Sequence, residues 1–136
     1  MPPRLSGLRP LLQVFDMLES VRFYREHLGF EVAQQSPWLE RPYPHFNWAL
    51  LKTDDVQLML NTAYEADERP AKREAVRCAS HRDVGLFFGC SDVDGAYEAL
   101  KHAGVAREPP KVTHYGMKQL YFRDPDGFEI CLQWPA

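Results

Sequence analysis

The feature that most constrains this chain is that it repeats itself. Residues 8–30, "LRPLLQVFDMLESVRFYREHLGF", and residues 84–105, "VGLFFGCSDVDGAYEALKHAGV", follow one plan: a short apolar strand, an aspartate, an amphipathic segment and a glycine. Such self-similarity means two copies of one supersecondary unit, and it governs how every local pattern is read. Asp16 and Asp92 predict helix N-caps, because a carboxylate there accepts amide protons that the first turn leaves free. Glu19, three residues after Asp16, fits a capping box. Gly29 and Gly104 suit the left-handed position that ends a helix. Between cap and stop, Leu18, Val21, Tyr24 and Leu28 form one apolar stripe; Val93, Ala96, Tyr97, Leu100 and Ala103 form the other.

The stretch after each helix repeats too. Residues 45–61, "HFNWALLKTDDVQLMLN", and 116–133, "GMKQLYFRDPDGFEICLQ", each read as strand, Asp-containing turn, strand, with Leu58 and Leu60 falling over Ile130 and Leu132. In the second turn Pro125 pre-sets φ, Asp124 and Asp126 can bond the local backbone, and Gly127 tolerates positive φ. Phe128, Ile130, Leu132 and Trp134 alternate with Glu129, Cys131 and Gln133, the period of a half-buried strand. "SPWLERPYP", residues 36–44, reads as a loop or irregular edge. Residues 63–82 are charged and strand-poor, most simply a solvated linker. The expected organisation is one domain, 1–136, made of a module at 8–62, a linker at 63–83 and a module at 84–134. Helices cover one face of each sheet, and the other face must curl round something; that something is the expected site.

Composition narrows the function class only by exclusion. A 136-residue chain with 45% hydrophobic and 26% charged residues is an ordinary soluble domain with a real core. A net charge of −3 makes no case for nucleic acid or an anionic membrane as partner. No apolar run approaches the roughly 20 residues of a membrane span, and the N-terminus lacks a signal-peptide pattern. Cys78, Cys90 and Cys131 are odd in number and lack metal-type spacing, so reduced thiols in a cytoplasmic protein are expected.

"FYREHLGFEV", "SDVDGAYEALKHAGV" and "FRDPDGFEICLQW", in this order, resemble the vicinal oxygen chelate superfamily of glyoxalase I, bleomycin-resistance proteins and extradiol dioxygenases. The resemblance covers about residues 8–134. It implies an α+β fold of paired βαβββ modules forming a cupped, barrel-like mixed sheet with helices outside, a small organic ligand in the cup, and a homodimer. Metal-dependent members take two ligands from each module, one on the first strand and one on the last, drawn from His, Glu and Gln. The matching positions here are Arg9 and Met59, then Gly85 and Cys131. Arginine only donates, glycine has no side chain, a thioether is soft, and one thiol makes no site for zinc, nickel or iron. No metal and no cofactor are therefore expected. A one-residue slip would bring in Gln57 or Glu129 but would turn Leu58, Leu60, Ile130 and Leu132 to the wrong face.

The same register lines the cup with Arg9, Leu11, Gln13, Gln57, Met59, Asn61, Phe87, Glu129, Cys131 and Gln133, and Gly85 and Gly89 leave room. Arg9 suits either a ligand carboxylate or phosphate, or an ion pair with Glu129 or a partner subunit. Gln57, Asn61 and Gln133 suit orienting hydrogen bonds or rim solvation. Cys131 fits a buried filler better than a nucleophile, having no histidine in register. His45 and His114 precede corresponding strands and are candidate general bases or surface groups; His27 and His102 suit helix C-termini. Phe46, Trp48 and Tyr121 can either offer a flat aromatic surface or pack in the core. The expected function is metal-independent small-molecule binding. The alternative is a lyase, isomerase or dioxygenase using a displaced metal site (His45, Glu129, His114) or Glu129 as base, and a third reading has the cup filled by Met59 and Phe87.

Overall fold

A computed structural model describes residues 1–136. The chain forms two compact units, Met1–Ala71 and Lys72–Ala136. The first runs β1 (Leu11–Val14), α1 (Met17–Leu28), β2 (Glu31–Gln35), β3 (Trp48–Thr53), β4 (Val56–Thr62). Its sheet has the order β1-β4-β3-β2, with β1 parallel to β4 and the other pairs antiparallel. The second opens with α2 (Ala75–Ser80) and continues β5 (Gly85–Gly89), α3 (Val93–His102), β6 (Lys111–Val112), β7 (Met117–Arg123), β8 (Glu129–Pro135). Its sheet order is β5-β8-β7-β6, with β5 parallel to β8. The fold is α+β, and each unit is a βαβββ module with one mixed sheet, as the repeat predicts.

The local signals act as expected. Asp16 accepts the Glu19 amide at 3.2 Å and Asp92 accepts the Gly95 amide at 2.9 Å, so α1 and α3 start on a capped N–H. Gly29 closes α1 at φ +75° with its amide on the Arg25 carbonyl. Period-2 alternation then sorts the strands. Leu12, Val14, Leu58 and Leu60 are buried on one face of the first sheet, with Met17, Val21 and Tyr24 of α1. Leu86, Leu120, Phe122, Ile130 and Leu132 are buried in the second unit, with Val93 and Leu100 of α3.

The charged run at 63–83 is structured, and the boundary between the units falls inside it. Arg69 lays its guanidinium over Tyr43 at 4.0 Å and Phe15 at 5.0 Å, which ties the end of the first unit to the exit of β1. Beyond Ala71 the segment binds the "DPDG" turn instead. Arg73 Nε lies 3.3 Å from the Asp126 carboxylate, and His81 stacks on Phe128 at 3.9 Å with its Nδ1 2.7 Å from the Asp126 carbonyl. The turn is itself tightly held: one buried oxygen of Asp124 accepts the amides of Asp126 and Phe128, each at 2.9 Å. These contacts give the segment 72–83 a partner that composition does not show. No helix is long and apolar enough to cross a membrane.

Candidate functional site

Alternation leaves each sheet a second face, turned away from the buried leucines. In the second unit Cys131 lies opposite Phe87 on β5 and Tyr121 on β7, so the three side chains share that face. Phe87 and Tyr121 are 52% and 43% exposed, and their rings meet edge to face at 6.0 Å. Cys131, between them, is fully buried. It has the predicted facing but no open surface. Burial pushes its thiol up, against the smaller opposing effect of a hydrogen bond with Tyr121. The Tyr121 phenol is pushed up to about 12, first by loss of solvent and then by Cys131. Both groups therefore keep their protons at neutral pH, and neither is an activated nucleophile.

A polar network adjoins the rings. Gln119 is buried and donates from Nε2 to Gln133 Oε1 at 2.9 Å and to Tyr115 Oη at 3.3 Å, while its own Oε1 accepts from Tyr121 Oη at 3.3 Å. Beside it, a cavity of about 280 Å³ opens between β6, β7 and the approach to β6, lined by Glu108, Pro109, Lys111, Val112, Thr113, Gln119 and Tyr121. Gln119, Tyr115 and Thr113 are not among the residues the sequence reading selects. The signal for Gln119 is present, since Leu120 and Phe122 turn inward and so send Gln119, like Tyr121, to the opposite face. Glu129 is held by Arg123 at 3.1 Å, which commits one carboxylate oxygen to a guanidinium. Gly85 leaves no open room: a Cβ there would stand 3.1 Å from the Phe87 ring, which lies over it.

In the first unit Met59 pairs with Leu11 and Leu50, next to Gln57 and Asn61 on β4. Arg9 precedes β1 and donates through Nε to Gln57 Oε1. Asn61 donates to Gln13 at 3.3 Å. The polar groups of this face thus satisfy one another. His45 is 3% exposed, so it is not a surface group; its Nδ1 lies 2.7 Å from the Tyr43 carbonyl, and buried Nε2 has no partner. His114 sits exposed in the turn before β7, edge-on to Tyr115 at 5.0 Å.

Within each unit the two candidate ligand positions lie on adjacent segments but two residues out of register: Met59 pairs with Leu11, two residues after Arg9, and Cys131 pairs with Phe87, two residues after Gly85. A guanidinium, a thioether, a bare backbone and a buried protonated thiol do not fit a divalent cation. No group of three or more His, Cys, Asp or Glu side chains is placed to hold one.

A family profile described as the Glyoxalase/Bleomycin resistance protein/Dioxygenase superfamily matches residues 8–132. The chain belongs to this superfamily. It is 27% identical over 118 residues to the uncharacterised protein YraH of Bacillus subtilis (strain 168), covering 85% of this chain and 87% of that one. It is 30% identical over 117 residues to Glyoxylase I 4 of Arabidopsis thaliana, covering 83% of this chain and 62% of that longer protein. Among solved structures it resembles TnmS3, an antibiotic-binding protein from Streptomyces sp. CB03234, with a TM-score of 0.69, 26% identity, and coverage of 99% and 100%. The superfamily fold accounts for the paired modules.

Proposed function

We propose that this superfamily member binds a small organic molecule without a metal ion, using the sheet faces turned away from the helices. The observation that carries the reading is the residue set Arg9, Met59, Gly85 and Cys131, which offers no borderline or hard ligand and buries its one thiol. In the second unit Phe87 stands near Glu129, and in the first unit Met59 and the flanking Gln57 and Asn61 give a mixed apolar and polar surface, a make-up that organic-ligand sites share. Arg9 and Gln57 form one unit through their mutual hydrogen bond and hold the edge of that surface. The likeness to an antibiotic-binding protein supports the binding of a small organic molecule. Three free thiols fit a reducing cytoplasm, and we take the protein to be a homodimer there, acting on neither nucleic acid nor membrane.

Elemental analysis of untagged protein, as purified and after exposure to nickel, zinc, manganese and ferrous ions, tests the metal-free reading. Substoichiometric metal and no shift in Tm on metal addition are expected, because only a ligand that prefers the folded state raises Tm. About one tightly held metal per chain would overturn it and put a lyase or dioxygenase first.

A further inference from the structure

The cavity beside β6 and β7 indicates what kind of molecule the second unit takes. Its walls are the Tyr121 ring, Pro109 and Val112, and its polar groups are Thr113 and Gln119. At about 280 Å³ it lies just below the usual range of ligand pockets, roughly 300 to 1,000 Å³. Tyr121 cannot swing freely, because Phe87 backs it edge-on at 6.0 Å and its hydroxyl is tied to Gln119. A fixed aromatic wall favours a flat, aromatic partner over a saturated one, since ring-on-ring contact adds to the area buried.

The charges at this cavity cancel. Lys111 and Glu108 are the only ionised lining residues, they are strongly exposed, and they lie 3.7 Å apart. Every other lining group is uncharged, so a charged ligand would give up hydration against a lining whose two opposite charges already offset one another. The Tyr121 phenol stays neutral far above physiological pH and adds no charge of its own.

The hydrogen-bonding groups narrow the class further. Both Nε2 protons of Gln119 are spent on Tyr115 and Gln133, while Oε1, which accepts only from Tyr121, has a second lone pair. Thr113 Oγ1 accepts the Met117 amide at 3.0 Å and has its own proton left to donate. One acceptor and one donor stand beside an aromatic wall. A hydroxyl on an aromatic ring can donate to the first and accept from the second, whereas a bare carbonyl uses only the second.

We propose that this cavity binds an uncharged hydroxyarene of one or two fused rings, its ring against Tyr121 and its hydroxyl between Gln119 and Thr113. The proposal rests on the small-molecule reading above and names the ligand class for it. The probe is 2-naphthol, titrated at neutral pH into the full-length protein by calorimetry, with amide NMR shifts recorded to locate binding. Three comparators of similar size accompany it: 2-naphthoate, 2-naphthylmethylammonium and decahydro-2-naphthol. The expected result is saturable 1:1 binding of 2-naphthol with shifts on β6 and β7, and each comparator weaker by about tenfold or more. Thr113→Val should weaken 2-naphthol about five- to tenfold through loss of one hydrogen bond, and Thr113→Ser should restore it. Tyr121→Leu, checked for folding by circular dichroism, should weaken it further. Equal or tighter binding of a charged or saturated comparator overturns the ligand class and leaves small-molecule binding standing. Unchanged affinity in folded Thr113→Val and Tyr121→Leu overturns the location. Failure of all four compounds to bind or to shift any amide overturns the proposal and counts against the wider reading as well.

Discussion

Asp124 shows how a single side chain can hold a tertiary junction. One of its carboxylate oxygens accepts two backbone amides, and the turn it shapes presents Asp126 and Phe128 to Arg73 and His81. Asp124→Ala leaves two N–H groups without that acceptor in a place water barely reaches, and should lower unfolding free energy by about 2–4 kcal/mol in urea titrations. Asp124→Asn keeps an oxygen at the same point and should lose less than about 1.5 kcal/mol, the difference between a charged and a neutral acceptor. Equal losses for the two variants would show that charge, not the pair of amides, is what matters. Cys131 illustrates the opposite case of a residue whose chemistry is silenced by position. Its facing matches the second-face pattern, but Phe87 and Tyr121 flank it and no solvent reaches it.

At the scale of an element, α1 and α3 are started by the same device and differ in how much room it has. In α3 the Asp92 carboxylate accepts the Gly95 amide, and any side chain at Gly95 would collide with that carboxylate. Replacing glycine by alanine inside a helix ordinarily stabilises by about 1 kcal/mol. Losing an N-cap costs about the same. Gly95→Ala should therefore give no gain, with Tm unchanged or lower, whereas in an Asp92→Ala background the same change should recover close to the full helix-propensity gain. Thermal unfolding of the four proteins in this cycle measures the coupling directly. The strands obey a simpler rule. Leu58 and Leu60, like Ile130 and Leu132, are buried because a period of two places them together, and a shift of one residue would expose them all.

For the whole molecule, the buried proton-bearing groups set the shape of the stability curve on its alkaline side. Cys131 and Tyr121 both hold their protons more tightly folded than unfolded, chiefly through burial. The stability they supply is present in full below the unfolded values, about 8.5 for a thiol and about 10 for a phenol, and is lost as pH rises through the folded ones. Unfolding free energy should thus decline from about pH 8.5 upward and keep falling to about pH 12, where the folded Tyr121 ionises. Urea titrations at intervals from pH 7 to 11 check this, and Cys131→Ala should reduce the first part of the decline, leaving the share of Cys78, whose thiol burial also pushes up. A flat profile over that range would mean that neither group is desolvated by folding.

The sequence by itself determined the modules. Caps at Asp16 and Asp92, the stop at Gly29 and the alternation around Leu58 and Ile130 depend on residues a few positions apart, and such patterns survive without knowledge of the rest of the chain. It also carries the resemblance from which Arg9, Met59, Gly85 and Cys131 are proposed as counterparts of the family's metal ligands. Only the tertiary structure decided what these residues meet. Arg9 finds Gln57 across 48 positions, where the sequence reading offers Glu129, and Glu129 finds Arg123 instead. The segment 72–83 looks solvated by composition, yet it docks on the "DPDG" turn because Asp126 and Phe128 offer it a carboxylate and a ring. Tyr121 and Gln119 become a wall and a base of a cavity only when β6 and the residues before it close beside β7. Periodicity fixes the side of a sheet on which a residue lies, but polar pairing and enclosed space arise between distant segments, and their energies depend on distances that no local pattern encodes.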